Sequence, residues 1–109
     1  MSGEQLGLEL ANIASQVAMD HADVMEPGWS ERAFSAFKIF AKQHDRFSTE
    51  DVIAASAHVP APPDKRAWGG IARKACHSGV CEKAGMGTSK LPHAHQRPIT
   101  IWNSKIFQG

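Results

Sequence analysis

Four stretches of the chain repeat apolar side chains at the spacing of an amphipathic helix, with prolines and glycines between them. In the first stretch, residues 4–24, these side chains lie four, three and four residues apart, at Leu6, Leu10, Ile13 and Val17. This spacing predicts one long helix with a single apolar stripe. We expect the stripe either to pack across the phenylalanines of the second helix or to mediate a dimer.

The second stretch predicts a helix over residues 31–44, after the break at Pro27-Gly28. Ser30 suits the N-cap position, because its hydroxyl can accept from a free N–H of the first turn. The apolar positions of this helix are Ala33, Phe37, Phe40 and Ala41, with Phe34 beside them.

The third stretch predicts a short helix over residues 49–57. The segment Ser48-Thr49-Glu50-Asp51 matches a capping box. We expect the helix to bury Val52, Ile53 and Ala57. The segment His58-Val59-Pro60-Ala61-Pro62-Pro63 cannot continue it, because proline lacks the N–H, and so predicts a stiff turn.

The fourth stretch predicts a helix over residues 65–78, with Asp64 as N-cap and Gly79 as its stop. Its core face would be Trp68, Ile71, Ala72 and Ala75. The same period puts Arg66, Gly70, Arg73 and His77 on another face. Glycines at 69 and 70 cost about 1 kcal/mol each relative to Ala inside a helix. We interpret Gly69 as a packing position, and for Gly70 both helix packing and close approach of DNA stay open.

Two apolar segments after this helix predict strands, Val80-Cys81-Glu82-Lys83 and Ile99-Thr100-Ile101-Trp102, around a long loop, Ala84 to Pro98. Two helices joined by a turn and followed by a hairpin indicate a winged helix-turn-helix, an α+β fold that is mostly α. An αα-hairpin in a small bundle is the alternative, but it gives the strands no role. We predict one domain, 1–109: N-terminal helices over 1–45, then the helix-turn-helix and wing over 46–109.

Charge is divided along the chain, although the net charge is only +1. Residues 1–31 hold six acidic side chains and no Lys or Arg, a net charge of −6. Residues 63–109 hold eight basic and two acidic side chains, a net charge of +6. This asymmetry indicates a basic face that meets phosphate and an acidic face turned away from it. Two solvated surfaces without a partner are the alternative.

Other kinds of site have little support. Cys76, Cys81, His93 and His95 could supply zinc ligands, but their spacing fits no common pattern, so we expect no metal and no cofactor. No P-loop, G-x-S-x-G or H-E-x-x-H motif is present, so we expect no enzyme activity. Two cysteines, no apolar run of membrane-spanning length and no signal-peptide pattern predict a cytoplasmic protein.

Several segments together resemble small winged-helix proteins of bacteriophages and prophages. They are Phe47-Ser48-Thr49-Glu50-Asp51-Val52, Pro60-Ala61-Pro62-Pro63, Arg66-Ala67-Trp68-Gly69-Gly70, Gly79-Val80 and Arg97-Pro98-Ile99-Thr100-Ile101-Trp102. The resemblance covers residues 47–102, about half the chain. It implies the winged-helix fold and a DNA-associated role in phage replication or regulation.

We therefore predict a double-stranded DNA-binding protein without chemistry. Arg66, Arg73 and His77 would face the major groove, with Gly70 on the same face. The side chains expected at phosphate are Lys65, Lys74, Lys83, Lys90 and Arg97. The alternative is a protein-interaction module on the same scaffold, whose first helix packs on a partner or on a second copy.

Overall fold

The computed structural model describes residues 3–64, 66–89 and 98–108, and these form a mostly helical α+β fold. The elements are α1 (Gly3–Met25), α2 (Trp29–Gln43), β1 (Arg46–Ser48), α3 (Thr49–Ala55), α4 (Arg66–His77), β2 (Cys81–Thr88) and β3 (Pro98–Ser104). The predicted α+β class is confirmed at this level. None of the described helices is both long and apolar enough to cross a membrane.

The core lies where α4 meets α1 and α2. Trp68, Ile71, Ala72 and Ala75 of α4 are all buried, as their spacing predicted. Trp29 has no exposed surface; its ring meets that of Trp68 edge-on, with centroids 5.5 Å apart, and its Nε1 donates to the carbonyl of Pro60 at 2.7 Å. The indole N–H of this large core side chain is thus satisfied.

Local signals positioned the start of α3 and the end of α4 correctly. The predicted capping box is present: Ser48 Oγ accepts from the Asp51 N–H, and an Asp51 carboxylate oxygen accepts from the Ser48 N–H. Gly79, with φ +80°, follows α4, and the N–H groups of Gly79 and Val80 donate to the carbonyls of Cys76 and Ala75. These bonds satisfy carbonyls that the helix end leaves free.

The described part of the apolar stripe of α1 does not pack across α2, and the alternative that the stripe mediates a dimer stays a prediction. Ile13 and Val17 are each 60% exposed, so their stripe packs neither on α2 nor on any other described element. Among residues 13–25 of α1, whose side chains the structure describes, the buried ones are small or flexible: Ala18, Met19 and Ala22.

Two further expectations for the helices were wrong. Helix α2 begins at Trp29 rather than after Ser30, whose N–H and hydroxyl both donate to Asp23 of α1 at 2.7 Å. In the third helix only Val52 is buried, because α3 ends at Ala55 and Ile53 points outward.

The sheet has three antiparallel strands in the order β1-β3-β2. Strand β1 was not predicted, and it pairs Phe47 with Trp102. Strand β2 extends to Thr88, so residues 84–88, predicted as loop, belong to the hairpin. Gly87 lies beneath the Ile101 side chain, where a Cβ atom would come within 2.8 Å of Cδ1.

Candidate nucleic-acid interface

The outer face of α4 is where the sequence predicted contact with DNA, and α1 covers part of it. A Cβ atom at Gly70 would lie 3.0 Å from the Ser15 carbonyl oxygen and 3.4 Å from Cβ of Met19. A Cβ atom at Gly69 would lie 3.2 Å from the Ser15 hydroxyl. Both glycines therefore allow α1 to approach closely, and Gly70 is a buried packing position rather than part of an open surface.

The carboxyl-terminal half of α4 keeps a basic outer surface. Arg73 is half-buried beside α1, and its guanidinium donates to Gln16 Oε1 at 3.0 Å. Lys74 and His77 are exposed. These side chains border a shallow cleft between α1 and α4, lined by Gln16, Met19, Gly70, Arg73, Lys74 and His77. Three basic side chains therefore border one concave surface.

Helix α2 adds a basic side chain that the sequence reasoning missed. The ammonium of Lys74 lies 4.7 Å from the centre of the Phe34 ring, and that of Lys38 lies 5.5 Å from it. Each cation is attracted to the ring, by about 0.5–1 kcal/mol at an exposed site. Phe34 and Lys38 are four residues apart on one helix, a local signal that could have joined Lys38 to the candidate set.

Arg66 is exposed but already paired. Its guanidinium donates to the Asp64 carboxylate, with the shortest N–O distance 2.7 Å. Hydrogen bonds from Arg66 hold the pKa of Asp64 below its ordinary value, and the same pairing raises the pKa of Arg66. Such an exposed pair contributes little to stability, so Arg66 can exchange Asp64 for a phosphate at small cost.

Four residues of the predicted DNA interface remain, and the structure describes one of them. Lys83 is exposed on β2, where it pairs with Trp102 of β3. Lys65, Lys90 and Arg97 lie outside the described residues. The expectation that these three side chains contact phosphate therefore stays a prediction.

The two cysteines meet at the junction of α4 and β2. Their sulfur atoms are 3.7 Å apart, and both thiols are free. Burial raises the pKa of Cys76, and burial together with the neighbouring thiol raises that of Cys81 to about 12. In the part of the chain that the structure describes, no three His, Cys, Asp or Glu side chains cluster as metal ligands do. His93 and His95 lie outside it, so the absence of zinc stays a prediction.

Comparison of the chain with protein-family models, with curated proteins and with solved structures finds no match.

Proposed function

We propose that the chain binds double-stranded DNA without chemistry, on a winged helix formed by α2, β1, α3, α4 and the β2–β3 hairpin. Helices α3 and α4 flank a proline-containing turn, and the antiparallel hairpin follows directly. The observation that carries the proposal is the convergence of Arg73, Lys74 and His77 around one cleft on the outer side of α4. Lys38 extends the same basic surface onto α2.

The position of α1 defines how this surface can meet DNA. The major groove is about 12 Å wide and accommodates one helix, itself about 10–12 Å across with its side chains. Because α1 covers Gly70, α4 cannot lie full-length in the groove while α1 stays in position. We infer that the carboxyl-terminal half of α4 and the wing contact mainly phosphates, which position a protein but do not select a sequence.

The resemblance to bacteriophage and prophage proteins supports the biological part of the proposal. It implies action in replication or transcriptional regulation, in the cytoplasm of a bacterial host. Phosphate contacts would suit either role, since both require the protein to associate with duplex DNA.

The test is the salt dependence of duplex binding, measured by fluorescence anisotropy with a labelled duplex. Each phosphate contact contributes about 0.9 to the slope of log K against log salt. We expect the double variant Arg73→Ala, Lys74→Ala to bind more weakly and to lose about 2 from that slope. Arg32→Ala is the matched control, because it removes a positive charge on α2 that pairs with Glu26.

Equal affinity and equal slope for the double variant and the control would contradict the proposed surface. Undetectable binding of the unaltered protein at low salt would reject DNA binding altogether. The melting temperature of each variant shows whether a change in binding reflects loss of folding.

A second candidate is a protein-interaction module on the same scaffold. The large apolar side chains that α1 exposes favour it, because their burial against another protein would remove apolar surface from water. The two candidates are compatible, since the exposed stripe of α1 and the cleft beside α4 are different surfaces.

A further inference from the structure

Helix α1 carries apolar side chains on two opposite faces. Ala18 and Ala22 lie on the face that packs against the core and are at most 5% exposed. Ile13 and Val17 are 60% exposed and Val24 is 76% exposed. A helix at a protein surface ordinarily has one apolar stripe, and a helix that is apolar all round is buried. The outer face of α1 therefore has the character of a second packing surface.

The outer positions follow a heptad repeat. From Ile13 the spacing runs four, three and four residues to Val17, Asp20 and Val24, and in the sequence Leu6 and Leu10 continue it toward the N-terminus. This alternation of three and four is the a/d pattern by which two helices pack side by side. We call Ile13, Val17, Asp20 and Val24 the α1 seam.

Asp20 decides what can pack on the seam. It occupies an a/d position between Val17 and Val24, and its described partner is Gln16, whose amide donates to its carboxylate at 2.9 Å. A carboxylate covered by another helix needs a hydrogen-bonded or charged partner, because burial without one is costly. The occupant of the seam must therefore supply a donor opposite Asp20.

A second copy of α1 brings no Lys or Arg to the seam. Residues 1–31 contain no Lys or Arg, so pairing of two α1 helices would set Asp20 against an apolar or acidic position. The acidic helices would also repel one another. An anionic lipid surface is disfavoured for the same reason, since helices that bind it carry Lys and Arg on their polar face.

We propose that the α1 seam docks a basic amphipathic helix of a partner protein, with apolar heptad positions and a Lys or Arg facing Asp20. The inference deepens the second candidate function, and it is independent of the proposed DNA binding. The cleft that faces DNA in our proposal involves Arg73, Lys74 and His77, none of which belongs to the seam.

The probe is a synthetic three-heptad peptide with Leu at the a and d positions, except for one Lys at the position that faces Asp20, and with Lys at the e and g positions, where like charges keep it from pairing with itself. A matched peptide carries Glu in place of Lys. Binding to the full chain is measured by fluorescence anisotropy. We expect the Lys peptide to bind at least about tenfold more tightly than the Glu peptide. Asp20→Lys should reduce this preference by about tenfold.

Two variants distinguish peptide binding at the α1 seam from nonspecific binding to exposed apolar side chains. Val17→Ala with Val24→Ala should weaken the Lys peptide by about tenfold, and alanine preserves helix propensity in α1. Ile39→Ala, at an exposed apolar position of α2, is the control and should leave affinity unchanged. The melting temperatures of all variants are compared first.

Failure of the Lys peptide to bind, or equal affinity for both peptides, would overturn the proposal. So would sedimentation showing a dimer that the seam variant dissociates, because the occupant would then be a second copy. Duplex-DNA affinity measured on the same samples keeps the two proposals apart, since the seam variant should bind DNA like the unaltered protein.

Discussion

Single residues could be predicted where both partners of an interaction are close in sequence. Ser48 and Asp51 are three residues apart, and their capping box forms as the spacing predicted. Trp29 was missed because its partner, the Pro60 carbonyl, lies 31 residues away. Ser30 resembled an N-cap locally, but Asp23 of the preceding helix accepts both of its hydrogen bonds. Asp23 lies seven residues before Ser30, outside the N-cap pattern, so that pattern could not reveal the competing acceptor.

Cys81 makes a prediction about alkaline pH. Its pKa is raised from an ordinary value of 9.0 to about 12, first by burial. At a pH between 9.0 and about 12, the thiol is therefore ionised in the unfolded chain but protonated in the native protein. The unfolded state then binds fewer protons, so the free energy of unfolding should fall as pH rises above about 9.

The measurement is urea unfolding under reducing conditions from about pH 8 to about pH 10.5. Cys81→Ala removes this titrating group, so its stability should decline less steeply with pH than that of the unaltered protein. Lysines titrate in the same range in both proteins, so the difference between the two slopes reports Cys81 together with its effect on the neighbouring Cys76 thiol. Parallel slopes would contradict a buried, protonated Cys81.

At the scale of the elements, periodicity predicted the helices and the core faces of α2 and α4, but not the core face of α1. The stripe of Ile13 and Val17 has correct helical spacing, yet it points outward. The reason lies in α4, where the missing Cβ atoms of Gly69 and Gly70 let Ser15 and Met19, on the other side of α1, approach closely. Strand β1 was missed for a related reason: Phe47 pairs with Trp102, 55 residues further along, and three residues alone carry no strand pattern.

The two glycines of α4 should respond differently to substitution. Alanine at Gly70 would meet the Ser15 backbone oxygen at 3.0 Å, so α1 must shift. The overpacking cost of about 1–3 kcal/mol should exceed the gain in helix propensity of about 1 kcal/mol, and we expect a net loss of stability. Alanine at Gly69 would meet only the Ser15 hydroxyl, which can rotate away. Its gain in helix propensity of about 1 kcal/mol should make that variant as stable as the original or more so. Chemical unfolding of both variants provides the comparison, and equal losses would show that α1 does not pack as described.

At the scale of the whole molecule, acidic and basic regions that are far apart in the sequence can be neighbours in the fold. The acidic N-terminal region was expected on a face turned away from the basic one. Asp20 lies on the exposed outer side of α1, whereas the inner side of the same helix packs on α4, where Gln16 accepts from Arg73. Charge totals could be counted from the sequence. Their arrangement depends on which helices adjoin, and that in turn depends on the two glycines of α4.

From the sequence we expected the first helix to be an extension outside the winged-helix core. In the structure, α1 contributes Ala18, Met19 and Ala22 to the same core as α4.

A chain that begins at Glu26 would expose the surface around Gly70 and lose the burial of Met19, a side chain whose burial contributes about 1.5–3 kcal/mol. Against a total stability of about 5–15 kcal/mol, we expect a markedly lower melting temperature. The full chain with Val17→Ala and Val24→Ala, which alters only the outer face of α1, should melt close to the unaltered protein. Circular dichroism on the three proteins tests this. An unchanged melting temperature in the shortened chain would show that α1 is separable from the core, and the outer face of α4 would then be open along its full length to DNA.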